Sequence, residues 1–312
     1  MSERLDGKVA VVTGAGRGVG RAYAHALAAA GAAVVVNDVA AAEGSPAADV
    51  AAEIEAAGGR AIANTDSVAD FEATAAMMGS AVEAFGRLDI VVANAGIIRP
   101  TYIVDATESD WADVLAVHAN GTFNCIRHAA PQMIEQGEGG TIITTGDIAT
   151  ELWFPRISSY RAAKAAIVVL TQHAANELRQ HDINVNSVMP GATETRMSGT
   201  FFQSLDDRLD SFLSDIQRTA ASGSDSSGEI ASPDTVPPLG VYLCTEEGRR
   251  FTGFSFQMSG PNVGVVSPHA EAEYIAPGEG AWTTEELAER VPGLLEGKRT
   301  LADATIGLDR QG

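Results

Sequence analysis

Short apolar runs without polar alternation recur along the chain, each followed by a stretch of helical periodicity. Val9 to Val12 precedes Arg21 to Ala30, Val34 to Asn37 precedes Ala47 to Ala57, and Ala61 to Asn64 precedes Phe71 to Phe85. Ile90 to Asn94 is followed by a long helical pattern from about Asp110 to Gln136, then Thr141 to Thr145, a helix over Ser159 to Gln180, Asn184 to Val188 and a final strand at Phe254 to Met258. Strands apolar on both faces belong to a parallel sheet covered by helices on each side. Right-handed crossovers then predict an α/β fold with a doubly wound parallel sheet.

The alternation breaks after the sixth strand. Thr200 to Gln217 carries a short amphipathic pattern and Thr219 to Ser232 is rich in Ser and Gly. A lid over the carboxyl ends of the strands is expected there, at about 196–232. Residues 261–312, with a capped helix start at Trp282 to Leu287, are too few for a second domain and are expected to pack on the core or on a partner subunit as a C-terminal extension of a single domain, 1–260.

At 312 residues, 45% hydrophobic and 20% charged, the chain can bury one large core. No apolar run reaches membrane-span length and the N-terminus leads straight into a strand, so a cytoplasmic protein without membrane contact is expected. The formal charge of −20, with lysine only at 8, 164 and 298, disfavours nucleic acid as a partner. Cys125 and Cys244 lack metal or redox spacing and read as buried small hydrophobes, and no metal is expected.

Thr13-Gly14-Ala15-Gly16-Arg17-Gly18-Val19-Gly20 lies between a strand and a helix, the context in which a glycine-rich turn carries a pyrophosphate on a helix N-terminus. Asp38 ends the second strand at the spacing that suits a carboxylate accepting from ribose hydroxyls, which favours NAD over NADP, although Arg17 could assist a 2′-phosphate. Asp66 and Ser67 are placed for the adenine rim, Asn94, Ala95 and Gly96 for the nucleotide cleft, and Pro190, Gly191, Thr193 and Thr195 for the carboxamide. All follow strands at the carboxyl edge of the sheet of this Rossmann-type fold.

The glycine turn, Asp38, Asn94-Ala95-Gly96, Asn120, Tyr160 with Lys164, and Pro190-Gly191 together resemble the short-chain dehydrogenase/reductase family over about Leu5 to Asn262. A looser likeness points to its (3R)-hydroxyacyl-CoA and hydroxysteroid dehydrogenase branch. The resemblance implies that Tyr160 exchanges a proton with the substrate oxygen, that Lys164 anchors the ribose and lowers the tyrosine pKa from one turn away, and that Asn120 holds a water linking Lys164 to solvent. It also implies a homodimer or homotetramer associating through the Tyr160 helix and its neighbour.

One position departs from the pattern. The family's serine lies 13 residues before the tyrosine, where this chain has Asp147. An ionised carboxylate accepts hydrogen bonds and cannot donate them, so it would oppose negative charge growing on a carbonyl oxygen. Three outcomes stay open: a protonated Asp147 donating as serine does, an ionised Asp147 accepting from an alcohol or pairing with a cationic substrate, or the absence of carbonyl chemistry. Thr144, Thr145 and Thr150 could stand in only if the loop shifts. Trp153, Phe154, Ile157, Phe201 and Phe202 suit a hydrophobic substrate wall, with Arg99 and Arg156 near its mouth. The expected activity is NAD-dependent interconversion of a secondary alcohol and a ketone, more in the oxidising direction. The alternative is a lyase, isomerase, cyclase or NAD(H)-binding sensor on the same fold.

Overall fold

The computed structural model describes residues 4–41, 44–147, 155–191, 193–204 and 231–266. Eight strands form one sheet in the order β3-β2-β1-β4-β5-β6-β7-β8: β1 Val9–Val12, β2 Ala33–Asn37, β3 Arg60–Asn64, β4 Ile90–Ala93, β5 Gly140–Thr145, β6 Ile183–Pro190, β7 Ser255–Ser259 and β8 Asn262–Val266. The first seven run parallel and β8 returns antiparallel to β7. The compact unit therefore extends to Val266, beyond the boundary expected at 260, which falls between the last two strands.

The helices are α1 Gly18–Ala29, α2 Pro46–Ala56, α3 Phe71–Phe85, α4 Glu108–Leu115, α5 Gly121–Gln136, α6 Ser158–Leu178, α7 Arg196–Ser204 and α8 Pro237–Cys244. Their starts follow capping chemistry. Ser45 accepts from Ala48 N ahead of Pro46, Asp70 accepts from Ala73 N, and Thr107 with Asp110 closes a capping box. The long helix expected over 110–136 is present without a break, as α4 and α5 run together through a π turn, Ala116–Asn120. That wider turn alters which side chains share a face.

Strands β1, β2, β4 and β5 are buried at every position, which explains their unbroken apolar runs. Alternate residues feed two cores: Ala10, Val12, Val34 and Val36 meet Tyr23, Leu27 and Leu243, whereas Val9, Val11 and Val35 meet Met77, Met133 and Ile142. Both cysteines are free and buried. Among the described residues no helix is long and apolar enough to cross a membrane.

The two edges of the sheet differ in use. At the amino edge, Asp89 is buried and holds Lys8, Arg87 and the Val9 N–H. At the carboxyl edge, the ends of β1, β2, β4, β5 and β6 carry the residues singled out by the sequence.

Candidate active site

The turn after β1 is held from two sides. Thr13 Oγ1 accepts from Asn94 N at 3.0 Å and Ala95 N at 3.1 Å, while Asn94 Nδ2 donates to Thr13 O at 2.9 Å. Asn94 and Ala95 thus brace the glycine turn. Gly14 has φ +62°, and a Cβ there would lie 2.8 Å from Ala95 Cα, so only glycine lets the turn and the β4 loop approach this closely. Val19 and Gly20 are buried where α1 leaves the turn. Arg17 is exposed.

Asp38 Oδ2 accepts from Gly16 N at 3.0 Å, and Oδ1 has no partner among the described residues. The residue is half-buried beside the turn, with one acceptor still open. Asp66 receives the Asn64 amide at 2.8 Å and its carbonyl receives Asn37 Nδ2 at 2.9 Å, which holds the β3 exit against β2. Ser67 Oγ accepts from Ala69 N. The loop after β6 reaches over the turn: Thr195 stands within 3.4 Å of where a Cβ on Gly18 would be, Thr193 Oγ1 donates to Gly191 O at 2.9 Å, and Gly191 N donates to Met258 O at 2.7 Å just past Pro190. A tight turn at a helix start, an open carboxylate acceptor and a hydroxyl-bearing loop above them fit a dinucleotide. When bound, its nicotinamide would supply the hydride acceptor or donor.

Beyond that turn, α6 presents Tyr160 and Lys164 one turn apart. Lys164 is buried at 4% exposure, its Nζ donates to Thr145 O at 2.6 Å, and it lies 5.6 Å from the centre of the Tyr160 ring. Burial lowers the ammonium pKa to about 8; Arg161 adds to that and Asp147 opposes it. Burial first, then the Asp147 charge, pushes the Tyr160 phenol well above its usual 10. The cation that opposes this rise is Arg161.

Asp147, at the end of β5, also forms an ion pair with Arg161, Nη1 to Oδ1 at 2.9 Å, with each side chain 17% exposed. A cation from within the chain therefore occupies the place considered for a cationic substrate. Thr144 bonds Thr171 in the core at 2.7 Å and cannot replace the missing serine hydroxyl.

The π turn sets the expected relay residue, Asn120, apart from the buried cluster. Asn120 is exposed and makes no side-chain hydrogen bond among the described residues. His118, two positions earlier, is buried, packs edge-on to the Tyr160 ring at 5.2 Å and places Nε2 3.0 Å from Ile97 N and 2.8 Å from Ile97 O. Burial first and Lys164 second lower its pKa to about 3, so the ring is neutral at physiological pH. Gly96 makes room for it, since a Cβ there would collide with the His118 ring.

Ile157 is buried at the start of α6 and Phe201 is half-buried on α7. Trp153, Phe154 and Thr150 lie outside the described residues, as does the Phe202 side chain. Arg99 pairs with Asp113 at 3.8 Å on the surface, and Arg156 stacks over Tyr102 at 5.1 Å. Sequence reasoning missed Arg161 and His118. The signal for Arg161 was Asp147 itself, because a carboxylate placed in a cleft needs a cation or several donors.

Comparison with known proteins gives the family. The family model for short chain dehydrogenases matches residues 8–206. A short-chain dehydrogenase/reductase of Armillaria gallica is 36% identical over 254 residues, covering 81% of this chain and 95% of the relative. A 3-oxoacyl-[acyl-carrier-protein] reductase of Staphylococcus aureus is 36% identical over 253 residues, covering 81% of this chain and 97% of the relative. The crystal structure of a short chain dehydrogenase from Mycobacterium avium superposes with a TM-score of 0.78 at 36% identity, covering 95% of this chain and 97% of that one. The chain belongs to the short-chain dehydrogenase/reductase family, which binds NAD(P)(H), and is an oxidoreductase acting on CH–OH or carbonyl groups.

Proposed function

We propose that the protein oxidises a secondary alcohol on a hydrophobic substrate to the ketone with NAD⁺ as oxidant. The observation that carries this reading is Asp147 standing where the family has serine, with its carboxylate paired to Arg161 at 2.9 Å on the residue next to Tyr160. A serine hydroxyl can donate to a carbonyl, whereas this carboxylate accepts; it suits an alcohol losing its proton and opposes a carbonyl oxygen gaining charge. Tyr160 exchanges the proton with the substrate oxygen, and Lys164 anchors the nicotinamide ribose. His118 takes the supporting position that the sequence suggested for Asn120. NAD is favoured over NADP by Asp38, whose open oxygen suits a ribose hydroxyl and whose charge repels a 2′-phosphate.

The same reading includes a homodimer or homotetramer associating through α5 and α6, on which Phe123 and Val169 are exposed. Purified protein with NAD⁺ and a panel of hydrophobic secondary alcohols should produce NADH, with NADP⁺ at least about tenfold poorer in kcat/KM. Tyr160→Phe should abolish turnover and leave NADH binding nearly intact. An unchanged rate in that variant, or silence with every alcohol, would move the assignment to the redox-silent alternative.

A further inference from the structure

We propose that His118 is a positioning residue for Tyr160, and that Gly96, Ile97 and His118 form a clamp holding the phenol ring in a fixed place opposite Lys164. The effect of the clamp on turnover rests on the alcohol-dehydrogenase reading above; the clamp itself does not.

The clamp starts from an irregularity in a helix. Between α4 and α5 the backbone widens into the π turn, where Gly121 N–H reaches back five residues to Ala116 O. The wider turn changes which side chains point inward: His118 is 1% exposed, whereas Asn120 faces solvent. The turn packs against α6. There the His118 and Tyr160 rings meet with centres 5.2 Å apart and planes at 90°. Edge-to-face contact is an arrangement that aromatic rings prefer, because a positive edge meets a negative face.

The same ring is tethered to the loop after β4. Nε2 lies 3.0 Å from Ile97 N and 2.8 Å from Ile97 O, so either neutral tautomer keeps a bond to one residue. Gly96 makes the tether possible. A Cβ there would stand 3.0 Å from Nε2 and collide with Cε1, and the Gly96 backbone is not left-handed, so space and not backbone freedom requires the glycine.

A ring tethered in this way holds and does not conduct. A proton crossing an imidazole enters at one nitrogen and leaves from the other, but Nε2 faces the amide N–H and carbonyl of Ile97, which pass no proton on. Nδ1 is buried and makes no hydrogen bond among the described residues. That is a cost to folding which an apolar side chain of similar size would avoid. What the imidazole supplies is an edge of fixed direction. Lys164 supplies the second boundary: its Nζ lies 5.6 Å from the centre of the Tyr160 ring and donates to Thr145 O at 2.6 Å. The phenol ring is thus bounded by two side chains, one anchored to backbone just past β4 and the other to backbone at the end of β5. Proton exchange needs the phenol oxygen within hydrogen-bond reach of the substrate oxygen, so a ring free to swing loses rate.

Three measurements test the clamp. In protein carrying carbon-13-labelled tyrosine, the ring signals of Tyr160, assigned among five tyrosines by their loss in Tyr160→Phe, should move in both His118→Gln and Gly96→Ala. His118→Gln keeps an amide able to meet both groups of Ile97 and removes the ring; kcat should fall about tenfold, with KM and NADH affinity within about threefold and the pH midpoints of kcat unmoved. Gly96→Ala should lose about tenfold in turnover by itself and less than about twofold when added to His118→Ala, because the methyl then enters the space the ring has left. Full turnover in His118→Gln, or unmoved Tyr160 signals in both variants, would overturn the clamp. So would losses that multiply in the double variant, which would separate Gly96 from the ring. A loss in His118→Gln that shifts a pH midpoint and leaves the Tyr160 signals in place would make His118 a proton carrier and overturn the positioning role. A wild type that oxidises no alcohol while the Tyr160 signals still move would remove the dehydrogenase reading and leave the clamp standing.

Discussion

Asp89→Asn tests how much of the fold's stability depends on one buried charge remote from the cofactor edge. The carboxylate, 4% exposed, accepts from Val9 N at 3.0 Å, Lys8 Nζ at 3.0 Å, and Arg87 Nε and Nη2 at 2.7 and 2.6 Å. An asparagine of the same shape offers one acceptor oxygen and turns two N–H groups toward donors. Breaking a buried pair costs about 3–5 kcal/mol. Lys8 and Arg87 keep about 30% of their surface and rehydrate in part, so the expected loss is about 2–4 kcal/mol in urea unfolding at neutral pH. Burial pushes the Asp89 carboxyl up, but Arg87, Lys8 and the Val9 N–H together hold it below its ordinary value. A carboxyl depressed in the folded state contributes stability above the unfolded pKa of about 3.9 and loses it as pH falls through the lower folded value. The gap between wild type and variant should therefore close in acid, below about pH 4, while dinucleotide affinity at neutral pH stays the same. A gap under about 0.5 kcal/mol, or one equally large at acid pH, would refute the reasoning.

Two further outcomes follow from the site geometry. Gly14→Ala forces a left-handed residue at a cost of about 1–2 kcal/mol and drives a methyl to 2.8 Å from Ala95 Cα, so NADH binding followed by fluorescence should weaken at least about tenfold; affinity within about twofold would remove the turn from the binding site. His118→Ala should cut turnover by about tenfold or more whereas Asn120→Ala should stay within about twofold, and the reverse order would restore Asn120 as the relay.

What could be read from residues alone follows from what repeats. The parallel strands were legible because burial on both faces writes an uninterrupted apolar run, as in Val34 to Asn37 and Ile90 to Ala93. Strand β8 was not, because it is an edge strand with exposed Val263 and Val265 and a glycine at its centre, which reads as an appendage. The turn around Gly14, the acid at Asp38 and the Tyr160–Lys164 spacing are local patterns, and the structure brings them to one edge of the sheet. His118 was hidden because a helical periodicity drawn through 116–120 assumes 3.6 residues per turn where the backbone makes a wider one. Arg161 was hidden for a different reason: its partner is 14 positions away, and only the fold puts a guanidinium from the first turn of α6 beside a carboxylate just past β5.

The strand order carries a consequence for how the chain assembles. β1 lies between β2 and β4, and β4 is made only after three helices and two further strands have been synthesised. A nascent chain that has built β1, β2 and β3 leaves one side of β1 with unpaired N–H and C=O groups until Ile90–Val92 arrives to register with Ala10–Val12. That open side invites pairing with another nascent copy during synthesis, so the interval between the third and fourth strands is the stage at which a chaperone would matter most.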